Sequence, residues 1–592
     1  MDEQEAPINQ KKEMKHILSL LLEHKLKLSI AVTCAIISTA FSVISPLLIG
    51  DAVTLIYDGS NNILNHTGGM DINGLTTILI VAAIIYAVSS LFSYLQAYLI
   101  AEISSKISYT LREKMINKVV QLPMTEIDGN KRGDILSRIT NDVDYLSSGI
   151  TESFLGTLTS AITLIGTVIV MITINIWMTL LIMLLIPVSM ILMRVITRIS
   201  QKYFQSQLKN KGELNSQIED TITNQDIMRS FNYENISIEE FNQNNEDLFN
   251  DEWKSNFISS LMMPFMKLID YGEYVAIAVV GSIFVLQGAI PVGRIVSFFE
   301  YAGNFTAPIE EFSSIMTIIQ MALASSSRIF EFLEYEIEEN PSSKQVPKFS
   351  DEITFENVNF GYLPDVKIID DLSLSVKKGQ KIAIVGETGA GKSTIVKLLM
   401  KFYDIDSGEI KIDGVNIDEY DKHSLRSMMG MVLQDSWLFS DTIENNILYG
   451  NLDSTKEELI KASKQANTDS FIKQLPEGYD TFLSEDSDNI SHGQKQLLTI
   501  ARTIISSKEI LILDEATSSV DTRTEKLIQN AMSNLMEDTT CFIIAHRLST
   551  IRNADNIIVL ENGRIIEQGK HEELLAKKGY YYNTLTNQTK ID

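Results

Sequence analysis

Long stretches without any charged residue limit most strongly how this chain can fold. Segments 28–50 and 75–101 contain no Asp, Glu, Lys or Arg, and segment 155–193 is a single uncharged run. Since about 20 apolar residues cross a bilayer as a helix, the last run is long enough to cross twice. Asn175 marks the expected tight turn between those two crossings.

Two more crossings are expected further along the chain. The last of them is weaker, because Glu300, Glu310 and Glu311 interrupt it. The sequence therefore predicts an all-α, six-helix transmembrane domain over residues 1–335, with spans at about 28–50, 75–101, 155–174, 178–196, 270–292 and 295–325.

The loops between these spans predict their orientation. Segment 51–74 contains no Lys or Arg, whereas the N-terminus, 102–154 and 194–256 are rich in both. Cytoplasmic loops carry the excess of positive charge, so both termini are expected in the cytoplasm. Ahead of the first span, an amphipathic helix on the membrane surface is predicted from Ile17, Leu18, Leu20, Leu21 and Leu22.

A soluble domain follows a polar linker at 336–351. Residues 386–394 read Gly-Glu-Thr-Gly-Ala-Gly-Lys-Ser-Thr between an apolar run and a helical pattern. This is the pattern of a phosphate-binding loop, in which backbone N–H groups at a helix N-terminus hold phosphate oxygens. The sequence predicts an α/β P-loop nucleotide-binding domain over 352–592, whose nucleotide contacts are Gly386, Glu387, Thr388, Gly389, Ala390, Gly391, Lys392, Ser393 and Thr394.

Two acidic residues at the end of a second apolar run complete this chemistry. Residues 510–513 are apolar and lead into Asp514 and Glu515. We expect Asp514 and Ser393 to hold Mg²⁺, and Glu515 to polarise the attacking water. The net charge of −26 argues against nucleic acid as a partner, because binding phosphates along a strand requires surplus Lys and Arg.

These motifs and their order resemble those of ATP-binding cassette (ABC) exporters, and the resemblance covers nearly the whole chain. It implies ATP and Mg²⁺ as ligands, an ATPase coupled to transport, and a second half-subunit as partner. By that resemblance Tyr362 stacks on adenine, and Gln434 contacts Mg²⁺ and the attacking water. Asp521 lies in the loop that follows Glu515, and His546 contacts the γ-phosphate. Regions at about 120–135 and 220–232 are the expected coupling helices.

The chain departs from the family at its signature motif. The usual Leu-Ser-Gly-Gly-Gln is here Ile-Ser-His-Gly-Gln at 490–494, with Ser491, Gly493 and Gln494 retained. In the family this motif clamps the ATP held by the opposite subunit, and His492 adds a side chain and restricts φ where phosphate approaches. The chain therefore resembles the subunit of bacterial heterodimeric multidrug exporters that keeps its catalytic glutamate. A homodimer that tolerates His492 is the alternative.

Charged and aromatic residues near the last two spans suggest what is carried. Carboxylates within a membrane are costly and usually face a cavity or a partner. The hypothesis is a pocket for lipophilic or amphipathic cations, lined by Asp270, Glu273, Glu300, Phe299 and Tyr301 and helped by Tyr271, Tyr274 and Phe298. Alternatively, the acids pair with Lys267 or Arg294 and the rings pack against lipid or neighbouring helices.

The function expected from all of this is multidrug export across the cytoplasmic membrane of a bacterium. Peptide or lipid export by the same fold is the nearest alternative. An ATP-binding regulatory or channel-like subunit is the alternative from another class, and the intact Glu515 disfavours it.

Overall fold

The computed structural model describes residues 10–588, apart from 128–130, 341, 364–365, 434–435, 485–488, 515–520 and 545–550. The chain divides into two compact units. One combines Met1–Val120 with Gly133–Tyr335, and the other combines Gln121–Arg132 with Glu336–Asp592. The predicted class, a helical membrane domain followed by an α/β nucleotide-binding domain, is confirmed.

The first unit is built mainly of long helices, and the short helix Met124–Ile127 that interrupts them in the chain belongs to the second unit. In chain order the helices up to the linker are α1 Gln10–Glu23, α2 Lys25–Leu64, α3 Ile72–Gln121, α4 Met124–Ile127, α5 Lys131–Ser137, α6 Val143–Ile174, α7 Ile176–Thr223, α8 Gln225–Ser230, α9 Glu234–Ser260, α10 Met262–Leu286 and α11 Gly293–Glu334, with a π-helical turn at Arg138–Asp142. Asn175 separates α6 from α7, and its Oδ1 accepts hydrogen bonds from the N–H groups of Trp177 and Met178.

Five helical stretches of the described chain are long and apolar enough to cross a membrane: Lys25–Leu64, Ile72–Gln121, Arg132–Ile174, Ile176–Thr223 and Glu234–Leu286. The predicted sixth span lies in α11, which is helical over 42 residues but does not belong to this group. Glu300, Glu310 and Glu311, which make this span the weakest in the sequence, lie within α11.

Small residues let α11 pack closely on α2 and α6. A Cβ added to Gly293 would lie 1.7 Å from the carbonyl oxygen of Gly50, and one added to Gly149 would lie 2.5 Å from the Cβ of Ala322. In a membrane the surrounding lipid is as apolar as the side chains, so the hydrophobic effect does not bring helices together. Small residues such as Gly and Ala let the backbones approach closely and stabilise the contact by packing. The Ser297 hydroxyl also donates to the carbonyl oxygen of Pro46 at 2.8 Å.

The second unit contains two sheets. The six-stranded sheet has the order β10-β9-β3-β8-β7-β6 and is parallel except for β10, and the antiparallel sheet has the order β2-β1-β4-β5. The strands are β1 Glu352–Phe360, β2 Ile369–Lys377, β3 Lys381–Gly386, β4 Ser407–Ile412, β5 Val415–Asn416, β6 Met429–Val432, β7 Ile510–Asp514, β8 Thr540–Ile544, β9 Asn556–Glu561 and β10 Arg564–Gly569.

Alternate residues of the central strands enter two separate cores. Ile382 and Ile384 pack with the antiparallel sheet, whereas Ala383 faces the helical side. Because side chains alternate across a strand, an all-apolar strand is buried on both faces. The helices of this unit are α12 Lys392–Leu399, α13 Lys422–Ser427, α14 Ile443–Leu448, α15 Lys456–Gln465, α16 Asp469–Ile472, α17 His492–Ser506, α18 Thr522–Leu535, α19 His571–Lys577 and α20 Tyr580–Gln588.

The short segment Gln121–Arg132 belongs to the unit that contains the sheets. Met124 packs against the core of the antiparallel sheet, and the Glu338 N–H donates to the Gln121 carbonyl at 2.7 Å. The Glu338 carboxylate accepts two hydrogen bonds from Arg426. The linker and residues 121–127 of the first predicted coupling region are therefore held together on this unit.

Candidate functional site

The loop between β3 and α12 has the backbone of a phosphate cradle. Gly389 and Gly391 adopt φ values of +88° and +98°, which residues with a Cβ rarely adopt. A Cβ on Gly386 would lie 2.4 Å from the carbonyl oxygen of Leu560 on β9. The three glycines are thus required by conformation or by space, as the motif predicts.

Lys392 begins α12 and folds back over this loop. Its Nζ donates to the carbonyl oxygens of Gly386 at 2.8 Å and Glu387 at 2.9 Å. Burial lowers the pKa of Lys392, while the nearby Asp514 carboxylate opposes that shift. The structure therefore places the lysine of one motif beside the aspartate of the other, although about 120 residues separate them.

The residues expected to hold Mg²⁺ suit that ion. Ser393 is exposed in the first turn of α12, and Asp514 ends β7 on the Lys392 side of the parallel sheet. Hydroxyl and carboxylate oxygens are the ligands that Mg²⁺ prefers. Three predicted catalytic residues, Gln434, Glu515 and His546, lie outside the described part of the chain.

Tyr362 lies at the edge of the same loop. Its hydroxyl is 3.2 Å from Thr394 Oγ1, and 44% of the residue is exposed. The ring of Tyr403 meets it edge-on, with centroids 5.1 Å apart, and Lys397 Nζ lies 5.8 Å from its centroid. The exposed part of this residue is what remains available for stacking on a base. Sequence reasoning missed Tyr403 and Lys397, since only their nearness to Tyr362 in space singles them out.

The signature residues begin a helix. The Ser491 hydroxyl accepts from the Gln494 N–H at 3.3 Å, and Gln494 Oε1 accepts from the Ser491 N–H at 2.8 Å, which is a capping box at the start of α17. His492 is exposed in the first helical turn, and Gly493 is buried. Position 492 lies in right-handed helical backbone that any residue adopts, so His492 adds no backbone strain in this structure. The added bulk of its side chain stays as a prediction.

Asp521 caps the next helix. Its Oδ1 accepts from the N–H groups of Arg523 and Thr524 at 3.0 and 3.1 Å. The hydrogen bonds from Thr524 are the main reason that the pKa of Asp521 lies below its usual value. This carboxylate therefore caps the N-terminus of α18 in this structure, and its contact with nucleotide stays a prediction.

The acidic residues of the membrane unit differ in burial. Glu273 is buried in α10, and its Oε1 has no hydrogen-bond partner in the part of the chain that the structure describes. Asp270, one turn earlier, is half-buried, and Glu300 on α11 is exposed. The sequence favoured Glu300 as a pocket residue, whereas burial singles out Glu273.

The aromatic residues predicted beside them separate into two groups. Tyr274 and Phe299 meet edge to face with centroids 5.3 Å apart. Tyr301 is fully buried, and its hydroxyl donates to the Val43 carbonyl at 2.7 Å. Phe298 is fully buried in the same core. In this structure both rings pack α11 against its neighbours, and substrate contact by Tyr301 and Phe298 stays a prediction.

Comparison with known proteins gives matches to both domains. Residues 28–309 match the family model described as the ABC transporter transmembrane region, and residues 369–518 match the family model described as ABC transporter. A Mycobacterium tuberculosis protein named fatty acid ABC transporter ATP-binding/permease protein is 40% identical, over 94% of this chain and 93% of that protein.

Two other relatives have different names. A Bacillus subtilis protein provisionally named as a multidrug export ATP-binding/permease protein is 32% identical, over 97% of this chain and 99% of its own length. An ATP-dependent lipid A-core flippase of Syntrophus aciditrophicus is 33% identical, over 98% of this chain and 95% of that protein. These names agree on the ATP-binding and membrane parts and differ on the substrate.

Proposed function

Because this chain belongs to the ABC transporter family, we propose that it is one half of an exporter that moves amphipathic cations out of a bacterial cell. A membrane domain and an ATPase domain in one chain make it an ATPase coupled to transport. Both termini lie in the cytoplasm in this proposal, so that ATP is bound and hydrolysed there.

The residues of the phosphate loop have separate roles in hydrolysis. Lys392 leaves the carbonyl oxygens of Gly386 and Glu387 and bonds to the β- and γ-phosphates when ATP enters. Ser393 and Asp514 would hold Mg²⁺, and the ion would supply positive charge against the charge that develops on the phosphates. Glu515 would polarise the attacking water, Gln434 would contact Mg²⁺ and that water, and His546 would contact the γ-phosphate.

One observation carries the choice of cargo: Glu273 is a buried carboxyl group whose Oε1 is unpartnered in the described structure. An intramembrane carboxyl without a partner is costly, and a cationic substrate would compensate that cost. Asp270 adds a second acidic group, and the ring pair of Tyr274 and Phe299 supplies apolar area on the neighbouring helices. A substrate carboxylate such as that of a fatty acid would be repelled here.

Efflux from cells or vesicles that contain the transporter tests this proposal. Glu273→Gln keeps the size of the side chain and removes the charge, so we expect at least a tenfold loss of cationic dye efflux, with neutral dye efflux retained. Glu252→Gln, at an exposed position on α9, is the matched control and should leave both unchanged. Equal loss of both dyes in Glu273→Gln, or loss of neither, contradicts a charge-specific pocket.

Two unequal ATP sites are part of the proposal, and His492 supports them. An exposed imidazole in the first turn of α17 occupies space where a phosphate would approach the helix N-terminus. The hydrolysing site then pairs this chain's phosphate loop with an intact signature on a different half-subunit.

ATP hydrolysis by the purified chain, alone and with a co-expressed second half-subunit, tests this asymmetry. We expect activity only in the pair, abolished by Glu515→Gln in this chain, and gained by the chain alone when His492→Gly restores the glycine. Full activity of the unmodified chain alone would establish a homodimer. Activity that does not respond to any lipophilic solute would favour a regulatory subunit.

A further inference from the structure

An apolar cavity lies beneath the N-terminal helix. It measures about 390 Å³ and is enclosed by α1, α6 and α11, with walls that include Met14, Leu18, Leu21, Gly149, Ala161 and Ala322. That volume lies in the usual range for a small-molecule site. The nucleotide site and the carboxylates of α10 take no part in it.

Specific contacts hold the walls of this cavity. The Ser326 hydroxyl donates to the buried carboxylate of Glu13 at 2.9 Å, and the rings of His16 and Phe330 lie 4.2 Å apart. Both contacts join α1 to α11. Gly149 and Ala322 keep α6 against α11 at one end. The cavity is therefore part of how these helices pack, and it is not a gap beside a loose terminus.

The open side of the cavity has the character of a membrane interface. Met14 and Leu18 are half exposed at its entrance, on a helix predicted to lie along the membrane surface. Lys11 precedes Met14 by three residues and Lys15 precedes Leu18 by three, so each lysine neighbours an entrance residue on the helix surface. Both lysines are exposed. An apolar interior beside two cations matches an acyl chain that carries an anionic headgroup.

We propose that this cavity binds one acyl chain of an anionic phospholipid from the surrounding leaflet, with the headgroup at Lys11 and Lys15. Burying the chain is favourable in proportion to its methylene groups, and the lysines add attraction to negative lipid. The bound lipid joins α1 to α6 and α11. This site is independent of the proposed cargo, which is cationic and is held at α10.

Native mass spectrometry of the full-length chain, extracted from nanodiscs of phosphatidylglycerol and phosphatidylcholine, tests the site. Ala161→Phe fills the cavity, and Ile165→Phe makes a similar change one turn away on α6 at an exposed position. We expect the wild type and Ile165→Phe to retain phosphatidylglycerol through detergent extraction, and Ala161→Phe to retain at least tenfold less. Leu18→Trp obstructs the cavity from α1 and should give the same loss if Ala161→Phe does not fold.

The headgroup is tested separately. Lys11→Gln with Lys15→Gln should reduce the preference for phosphatidylglycerol over phosphatidylcholine to about one. Unchanged lipid retention in both cavity-filling variants overturns the site. Equal retention of the two lipids by the wild type overturns the anionic headgroup, and a co-purified free fatty acid in place of phospholipid overturns the proposed source of the chain. Dye efflux and ATP hydrolysis are not used as readouts, so failure here is distinct from failure of the transport proposal.

Discussion

Two glycines of the phosphate loop make a matched pair for a mutational test. Both have positive φ, +88° at Gly389 and +98° at Gly391. A Cβ on Gly389 would have no heavy atom within 4 Å, whereas one on Gly391 would lie 2.8 Å from Ile369 Cδ1 and 3.0 Å from the Ile368 carbonyl oxygen. Gly389→Ala therefore adds backbone strain alone, and Gly391→Ala adds strain and a steric clash.

The size of each effect follows from those contacts. A residue with a Cβ in left-handed backbone costs about 1–2 kcal/mol. In the nucleotide-free chain the substituted loop can relieve this strain by leaving the cradle conformation, and MgATP binding must then restore it. Since about 1.4 kcal/mol is a tenfold change in affinity, we expect Gly389→Ala to weaken MgATP binding by roughly 5- to 30-fold. Overpacking costs about 1–3 kcal/mol more, so Gly391→Ala should weaken binding by roughly 30-fold to several thousand-fold.

Calorimetric titration of MgATP into the full-length chain, with hydrolysis blocked by Glu515→Gln, measures both values. Gly414→Ala is the control, because Gly414 also has positive φ with no neighbour near a built Cβ but lies in the turn between β4 and β5. It should lower thermal stability and leave MgATP affinity unchanged. If Gly391→Ala binds MgATP as well as Gly389→Ala does, the steric reasoning is refuted.

Two further predictions concern contacts outside the phosphate loop. Ser491→Ala removes the cap of α17 and should lower the free energy of unfolding by about 1 kcal/mol. Denaturant unfolding measures this, with Ser491→Thr as the conservative control, and an unchanged free energy of unfolding would show that the cap is dispensable. Burial would raise the pKa of Glu338, but hydrogen bonds and charge from Arg426 and Lys422 outweigh it and hold the pKa below its usual value. The stability that this ionised group contributes is therefore fully present above about pH 4.3 and is lost as pH falls through the lowered pKa. Glu338→Gln should therefore reduce the dependence of thermal stability on acidic pH; an unchanged pH profile would contradict this role.

Much of the nucleotide site is predictable because its chemistry is local. Consecutive backbone N–H groups and a lysine at a fixed spacing are enough to hold phosphates, so residues 386–394 indicate their function without any tertiary contact. The uncharged runs predict membrane helices for a similar reason, since length and apolarity decide whether a segment can cross. A linear motif does not report neighbours in space, which is why the contact of Tyr403 with Tyr362 was missed.

The sequence by itself determined the class of protein and its domain order, which is long apolar helices followed by an α/β domain with a phosphate loop. Tertiary structure alone decided which face of each long helix is buried, because helices that are apolar on every side carry little periodic signal. It separated buried Glu273 from exposed Glu300, assigned Tyr301 to packing, and joined residues 121–132 to the unit that contains the sheets. The cavity beneath α1 has the same origin, since its walls come from three helices that lie far apart in the chain and meet only on folding.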